Sequence, residues 1–155
     1  MSRRAERGSV SIEVAVLAPA FIALMVLAGV AGRSAVAAEV VEAAAHDAAR
    51  AASISRSADA ARTAAREAAR KQLDWRGLAC TNDLDPTFSG SVAGNPVSFD
   101  DAFSSPVGED ATVTVEISCL VSFKDISLDV VPGMPTDNRI TASFTSPLDR
   151  YRSRQ

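Results

Sequence analysis

The sequence of 155 residues predicts an α+β fold, in which a long amino-terminal helix is followed by a second helix and a small antiparallel sheet. Three observations lead to this prediction. Residues 14–32 carry no charge, and residues 33–73 contain seventeen alanines in 41 positions. After Gly77, six prolines and runs of alternating apolar and polar residues replace the alanines. The periodicity therefore changes from helical to extended along the chain.

The first helix is predicted to span a membrane. The apolar stretch at residues 10–32 has 23 residues, and the hydrocarbon core of a bilayer needs about 20 helical residues. Arg3, Arg4 and Arg7 give residues 1–8 a net charge of +2 in front of this stretch. The positive-inside rule then places the amino terminus in the cytoplasm and everything from Arg33 onward outside.

These features divide the chain into four segments. They are a basic cytoplasmic leader (1–8), a transmembrane helix (9–32), an alanine-rich helical stalk (33–76) and an extracytoplasmic β-rich domain (77–155). A cleaved secretory signal is the alternative for the first two, with a cut at Ala35-Val36-Ala37. Its apolar core would have about 7–15 residues, which is shorter than the stretch observed here.

An acidic residue, Glu13, interrupts the start of the apolar stretch. An ionised side chain inside hydrocarbon costs several kcal/mol and usually has a partner or a function. One interpretation is that Glu13 reaches back to the membrane interface and marks where the span begins. The other is that it neutralises a positive charge at the same edge of the bilayer.

The residues around Glu13 resemble the leader of type IV pilin-like proteins. The chain is most similar there to the TadE-like family of tight-adherence (Flp) pili, through ERGSVSIEVAVLAPAFIALMVL and, further on, AAAHDAARAA. Pro19 stands where such proteins have a proline that kinks the span, and the ending TASFTSPLDRYR is also similar. Val14 replaces the tyrosine that follows the glutamate in major pilins, so the resemblance implies a minor pilin or pseudopilin.

The resemblance implies a processing site between Gly8 and Ser9. A prepilin peptidase would cut there on the cytoplasmic side, and the new amine of Ser9 would be neutralised by Glu13 of the same or a neighbouring subunit. The implied partners are other pilin-like subunits, through the amino-terminal helix, and polytopic pilus-assembly membrane proteins. The implied location is the cell membrane, as a single-pass protein.

The stalk is predicted to contain a helix to about Ala52, a break at residues 53–58 and a second helix at 58–75. Ser57 is a suitable N-cap, and Gly77 ends the second helix. A stripe of small residues (Val36, Val40, Ala44, Ala48, Ala51) packs either on neighbouring subunits or on the sheet of the same chain. A row of arginines at positions 62, 66 and 70 is expected to be a solvated face, with contact to phosphate or an acidic partner as the alternative. His46 is expected to be exposed.

The outer domain is predicted to hold three or four antiparallel strands. Residues 112–121 and 139–145 alternate clearly, whereas 86–92 and 125–131 are weaker candidates. Residues 94–110 are expected to form a polar, acidic loop.

Cys80 and Cys119 lie beyond the span, on the oxidising side of the membrane, so a disulfide between them is expected. Two buried free thiols are the alternative.

Composition argues against several functions. The net charge of −3, with −6 in residues 77–155, argues against a nucleic-acid partner. One histidine and two cysteines provide neither a catalytic set nor a zinc site, and the acidic residues lack EF-hand spacing. We therefore expect no enzyme, metal or cofactor. Besides a pilin-like component, the sequence permits a membrane-anchored extracytoplasmic module that binds the cell envelope or a partner protein.

Overall fold

The computed structural model describes residues 6–82, 84–125 and 136–151, with side chains from Glu13 onward. Within these residues it confirms the predicted α+β class. The elements in chain order are α1 (Glu6–Ser53), α2 (Ala58–Trp75), β1 (Thr87–Val92), β2 (Asn95–Val97), α3 (Phe99–Phe103), β3 (Ala111–Ser122) and β4 (Asp137–Pro147). The weak strand candidate at 125–131 lies, after Asp125, outside the described residues.

Helix α1 is one helix of 48 residues with Pro19 in its first half. At about 1.5 Å per residue it is about 72 Å long. Alanine and leucine, which favour helices, dominate its sequence. The apolar segment and the alanine-rich segment therefore form a single rod.

Helix α2 returns along α1 after a short turn. Its N-cap is Ser57, whose hydroxyl accepts a hydrogen bond from the amide of Ala60 at 3.4 Å. Gly77 follows the helix with a φ of 67°, a conformation that glycine adopts without steric cost. Both signals lie where the sequence predicts them.

The strands form one antiparallel sheet in the order β2-β1-β3-β4. A two-residue turn joins β1 to β2, and its residues Ala93 and Gly94 have φ angles of 49° and 80°. The segment expected to be a polar loop instead contains β2 and α3. It is ordered because Phe99 and Phe103 of α3 are buried against the sheet and against each other.

The core lies between α1 and one face of the sheet. The alternating apolar residues of β3 are fully buried and face α1: Val113, Val115, Ile117, Cys119 and Val121. On α1 the buried residues are small: Ala37, Val40, Val41, Ala44, Ala45, Ala48, Ala49 and Ala52. Small side chains let the helix approach both the sheet and α2 closely. Of the two interpretations of the small-residue stripe, packing within the chain is the one observed, except at Val36, which is 62% exposed.

Candidate membrane and assembly site

The first half of α1 projects from the folded domain without any cover from this chain. Among the described residues, α1 contains an 18-residue window that is long and apolar enough to cross a membrane, and none of that window is buried. Its large side chains are at least half exposed: Val14, Val16, Leu17, Phe21, Ile22, Leu24, Met25 and Leu27. An apolar surface of this extent requires lipid or other helices around it.

Cover from the chain's own domain begins a few residues after this window. Ala37 is the first of the described residues to be buried, at 1% exposure. Arg33 lies one turn earlier and pairs with Asp125 of the outer domain, with 2.5 Å between Nη1 and Oδ2. The helix therefore has an uncovered segment up to about residue 29 and a packed segment from Ala37 to Ser53, with Val30 partly buried against the core between them.

Glu13 lies at the beginning of the uncovered segment and is exposed. It is one helical turn after Ser9, so both residues lie on the same side of α1. Gly8 and Ser9 belong to α1, but their side chains, and residues 1–5 entirely, lie outside the described part. Cleavage after Gly8, a kink at Pro19 and an assembly role for Glu13 remain predictions.

A disulfide between Cys80 and Cys119 joins the segment after α2 to the central strand β3. Their α-carbons are 5.1 Å apart. Beside it, the amide of Thr81 donates to the carbonyl of Leu120 at 2.9 Å, and the Asn82 side chain accepts from the Leu120 amide at 2.6 Å. The disulfide, rather than two free thiols, is therefore the state that the structure contains.

The arginine row on α2 does not form the solvated face that the sequence predicts. Arg62 pairs with Asp100 and lies 5.0 Å from the centre of the Phe99 ring. This hydrogen bond lowers the pKa of the Asp100 carboxyl and raises the pKa of the Arg62 guanidinium. One turn later Arg66 pairs with Asp85 at 3.3 Å, and its guanidinium lies over the ring of Phe88 in β1. Only Arg70 of the row is fully exposed.

The basic residues of the stalk therefore meet acidic residues of the outer domain within the same molecule. Arginines of α1 and α2 meet aspartates of the β-rich part, and Arg150 near the end of β4 pairs with Asp110. Three of these pairs join stalk arginines to aspartates of the outer domain. In the described part of the chain, no group of three or more His, Cys, Asp or Glu side chains is arranged to hold a metal ion.

His46 is exposed, as predicted, and its ring contacts that of Phe144 in a T-shaped arrangement, with 4.4 Å between centroids.

Sequence reasoning missed the aspartate partners of Arg62 and Arg66, because they lie 38 and 19 positions away along the chain. It also missed a buried hydrogen bond in which Ser146 donates to Ser53 at 2.9 Å. Spacing along the sequence contains no signal for such pairs.

A family model described as TadE-like protein matches residues 8–50 of the chain. The match covers the uncovered segment of α1 and most of its packed segment, and it confirms the resemblance that the sequence indicates there. It leaves α2 and the sheet outside the matched region. No curated protein and no solved structure matches the chain.

Proposed function

We propose that this protein is a membrane-anchored minor pilin or pseudopilin-like component of a tight-adherence pilus or a related secretion system. The observation that carries the proposal is the uncovered apolar segment of α1, which begins with Gly8, Ser9 and Glu13 and matches the TadE-like model. The basic residues before it favour an amino terminus in the cytoplasm and an outer domain beyond the membrane.

The chemistry of processing gives Glu13 its role. Cleavage after Gly8 creates a positive amine on Ser9 at the edge of the bilayer, where the dielectric constant is low. A carboxylate one helical turn away, or at the same depth in a neighbouring subunit, neutralises that amine. Loss of the basic leader also removes the charges that retain the helix in the membrane. The helix is then able to pack with other pilin-like helices.

The exposed surface of α1 supports packing through the uncovered segment only. Beyond Ala37 the small-residue face is already occupied by the chain's own sheet and α2. We therefore assign subunit contacts to the uncovered segment, and we assign the outer domain to the surface of the assembly.

The first test is the amino terminus of the protein isolated from cells with and without the prepilin peptidase. Intact mass and amino-terminal sequencing should show a chain that begins at Ser9 only when the peptidase is present. A chain that begins before Ser9 in both strains contradicts the processed form.

The second test separates an assembly role for Glu13 from simple anchoring. Glu13→Gln keeps the size of the side chain but cannot ionise, so it should abolish recovery of the protein with pili while leaving it in the membrane. Glu42→Ala is the matched control, since Glu42 is exposed on the same helix outside the span. Equal recovery of both variants with pili contradicts the assembly role.

The second candidate function is a membrane-anchored extracytoplasmic binding module. The observation that favours it is the outer face of the sheet, where hydroxyl groups pair across strands, as Ser91 with Thr112 at 2.8 Å and Thr114 with Thr145 at 2.7 Å. Such a module keeps its leader and tolerates Glu13→Gln. Crosslinking in the membrane followed by identification of the crosslinked partner distinguishes pilin-like subunits from an envelope component.

A further inference from the structure

A pocket of about 470 Å³ lies where α1 leaves the uncovered segment. Three parts of the chain line it: residues 33–40 of α1, residues 76–81 after α2, and residues 121–125 at the end of β3. Elements far apart in sequence thus enclose one space beside the predicted bilayer surface.

The charged groups that line the pocket are mostly basic. Among the described residues of the lining, Arg33, Arg76 and Lys124 are basic and Asp125 is acidic, which gives these residues a formal net charge of +2. The ion pair with Asp125 joins one Arg33 nitrogen, Nη1, to Oδ2. A guanidinium carries five N–H donors. The pocket therefore attracts anions.

Apart from Thr81 and Ser122, the uncharged residues of the lining are apolar or glycine. Val36, Ala37 and Val40 line the pocket from α1, and Leu78 and Val121 line it from the outer domain. Val36 is 62% exposed although it lies on a helix beside the folded domain. A ligand that combines an anionic group with hydrocarbon matches this lining.

The depth of the pocket agrees with the headgroup layer of a bilayer. Residues 33–40 extend about 10 Å along α1 from the end of the apolar segment. The polar layer on each side of the hydrocarbon core is about 5–8 Å thick. When residues 10–32 span the core, the pocket is level with lipid phosphates.

We propose that this juxtamembrane pocket binds the headgroup of an anionic phospholipid, with its phosphate on Arg33, Arg76 and Lys124 and its acyl chains directed toward the apolar segment that precedes Arg33. The proposal rests on the membrane insertion that the proposed function includes, and it is independent of pilus assembly. Arginine is well suited to this role because its planar guanidinium donates two parallel hydrogen bonds to a phosphate. Bound lipid then orients the outer domain on the membrane surface.

The test is a lipid titration of the full chain purified in a neutral detergent. Native mass spectrometry counts bound phosphatidylglycerol, with phosphatidylcholine and inorganic phosphate as separate titrants. We expect one phosphatidylglycerol to bind saturably, at least about tenfold more tightly than phosphatidylcholine. Trp75 is the single tryptophan, is 76% exposed and lies 5.3 Å from the Arg76 guanidinium, so its fluorescence should report the same titration.

A triple variant, Arg33→Gln with Arg76→Gln and Lys124→Gln, should lose that preference by about tenfold or more. The matched control removes three exposed basic residues elsewhere, at Arg56, Arg70 and Lys71, and should keep it. Equal binding of the two lipids to the wild-type chain overturns the proposal, and this comparison needs no variant to fold. Equal loss in both triple variants, or binding of inorganic phosphate without any lipid preference, overturns it as well.

Membrane extraction separates this proposal from the proposed function. A chain that alkaline washing removes from membranes contradicts insertion, and with it the proposed function. A chain that stays inserted but shows no lipid preference contradicts the lipid pocket alone.

Discussion

Reduction of the Cys80–Cys119 disulfide should lower the free energy of unfolding of the outer domain by about 4 kcal/mol. The two residues are 39 positions apart in sequence, and closing a loop of that length removes about 13 cal/mol/K of chain entropy from the unfolded ensemble. At room temperature this entropy is worth about 4 kcal/mol. Domains of this kind have a total stability of about 5–15 kcal/mol, so the loss is large.

The structure indicates that the effect arises in the unfolded state. Thr81 and Asn82 make four hydrogen bonds with β3 that do not depend on the sulfur atoms. Cys119 is fully buried, and reduction leaves its side chain in place without creating a cavity. The folded state should therefore change little when the bond opens.

The assay is urea unfolding of the full chain in detergent, followed by far-ultraviolet circular dichroism, with and without a phosphine reductant. Thiol titration verifies that reduction is complete. The double variant Cys80→Ala, Cys119→Ala should be less stable than the reduced chain, because it also removes buried volume. A difference of less than about 1 kcal/mol between oxidised and reduced chains refutes the loop-entropy reasoning.

Three further predictions concern the sheet and its charge pairs. Ala93→Asn should raise the unfolding free energy by about 1 kcal/mol, since Ala93 has a φ of 49° in a two-residue turn that favours asparagine. Gly90→Ala should cost about 1–3 kcal/mol, because its new Cβ would lie 2.6 Å from a side chain of α3, whereas Ser89→Ala on the exposed side should cost far less. Urea unfolding measures the free energy of unfolding of each of these variants. Equal losses of stability for Gly90→Ala and Ser89→Ala contradict the clash. Acidification should destabilise the protein partly through Asp100, because Arg62 lowers the pKa of its carboxyl. The stabilisation by this ion pair is present above the unfolded pKa of about 3.9 and is lost as pH falls through the folded pKa. Asp100→Asn should therefore show a smaller loss of stability between about pH 5 and about pH 2, and an unchanged loss contradicts the assignment.

The elements that the sequence predicts well depend on signals within a few residues. The second helix begins after Ser57 and ends before Gly77 because a cap and a glycine act locally. Strand β3 alternates apolar and polar residues except at Leu120, so its sequence alone indicates which face is buried. The leader, the apolar segment and Glu13 also form a local pattern, which is why a family resemblance exists there.

The predictions that were wrong depend on contacts between distant segments. The arginine row looked solvated because its aspartate partners lie in other elements. The polar segment at 94–110 looked like a loop because α3 has only five residues, and its two buried phenylalanines are held by the sheet rather than by helix propensity.

The sequence by itself determined that this protein has a helix apolar enough to span a membrane, a helical return and a strand-rich carboxy-terminal part, since hydrophobic periodicity, caps and turns act over a few residues. Only the tertiary structure decided which face of the alanine-rich helix is used by the chain itself. It also decided that three arginines of the helices pair with aspartates of the carboxy-terminal part, and that Arg33, Arg76 and Lys124 line one pocket. The physical reason is that burial and ion pairing depend on distance in space, and the closing of the sheet against α1 sets those distances.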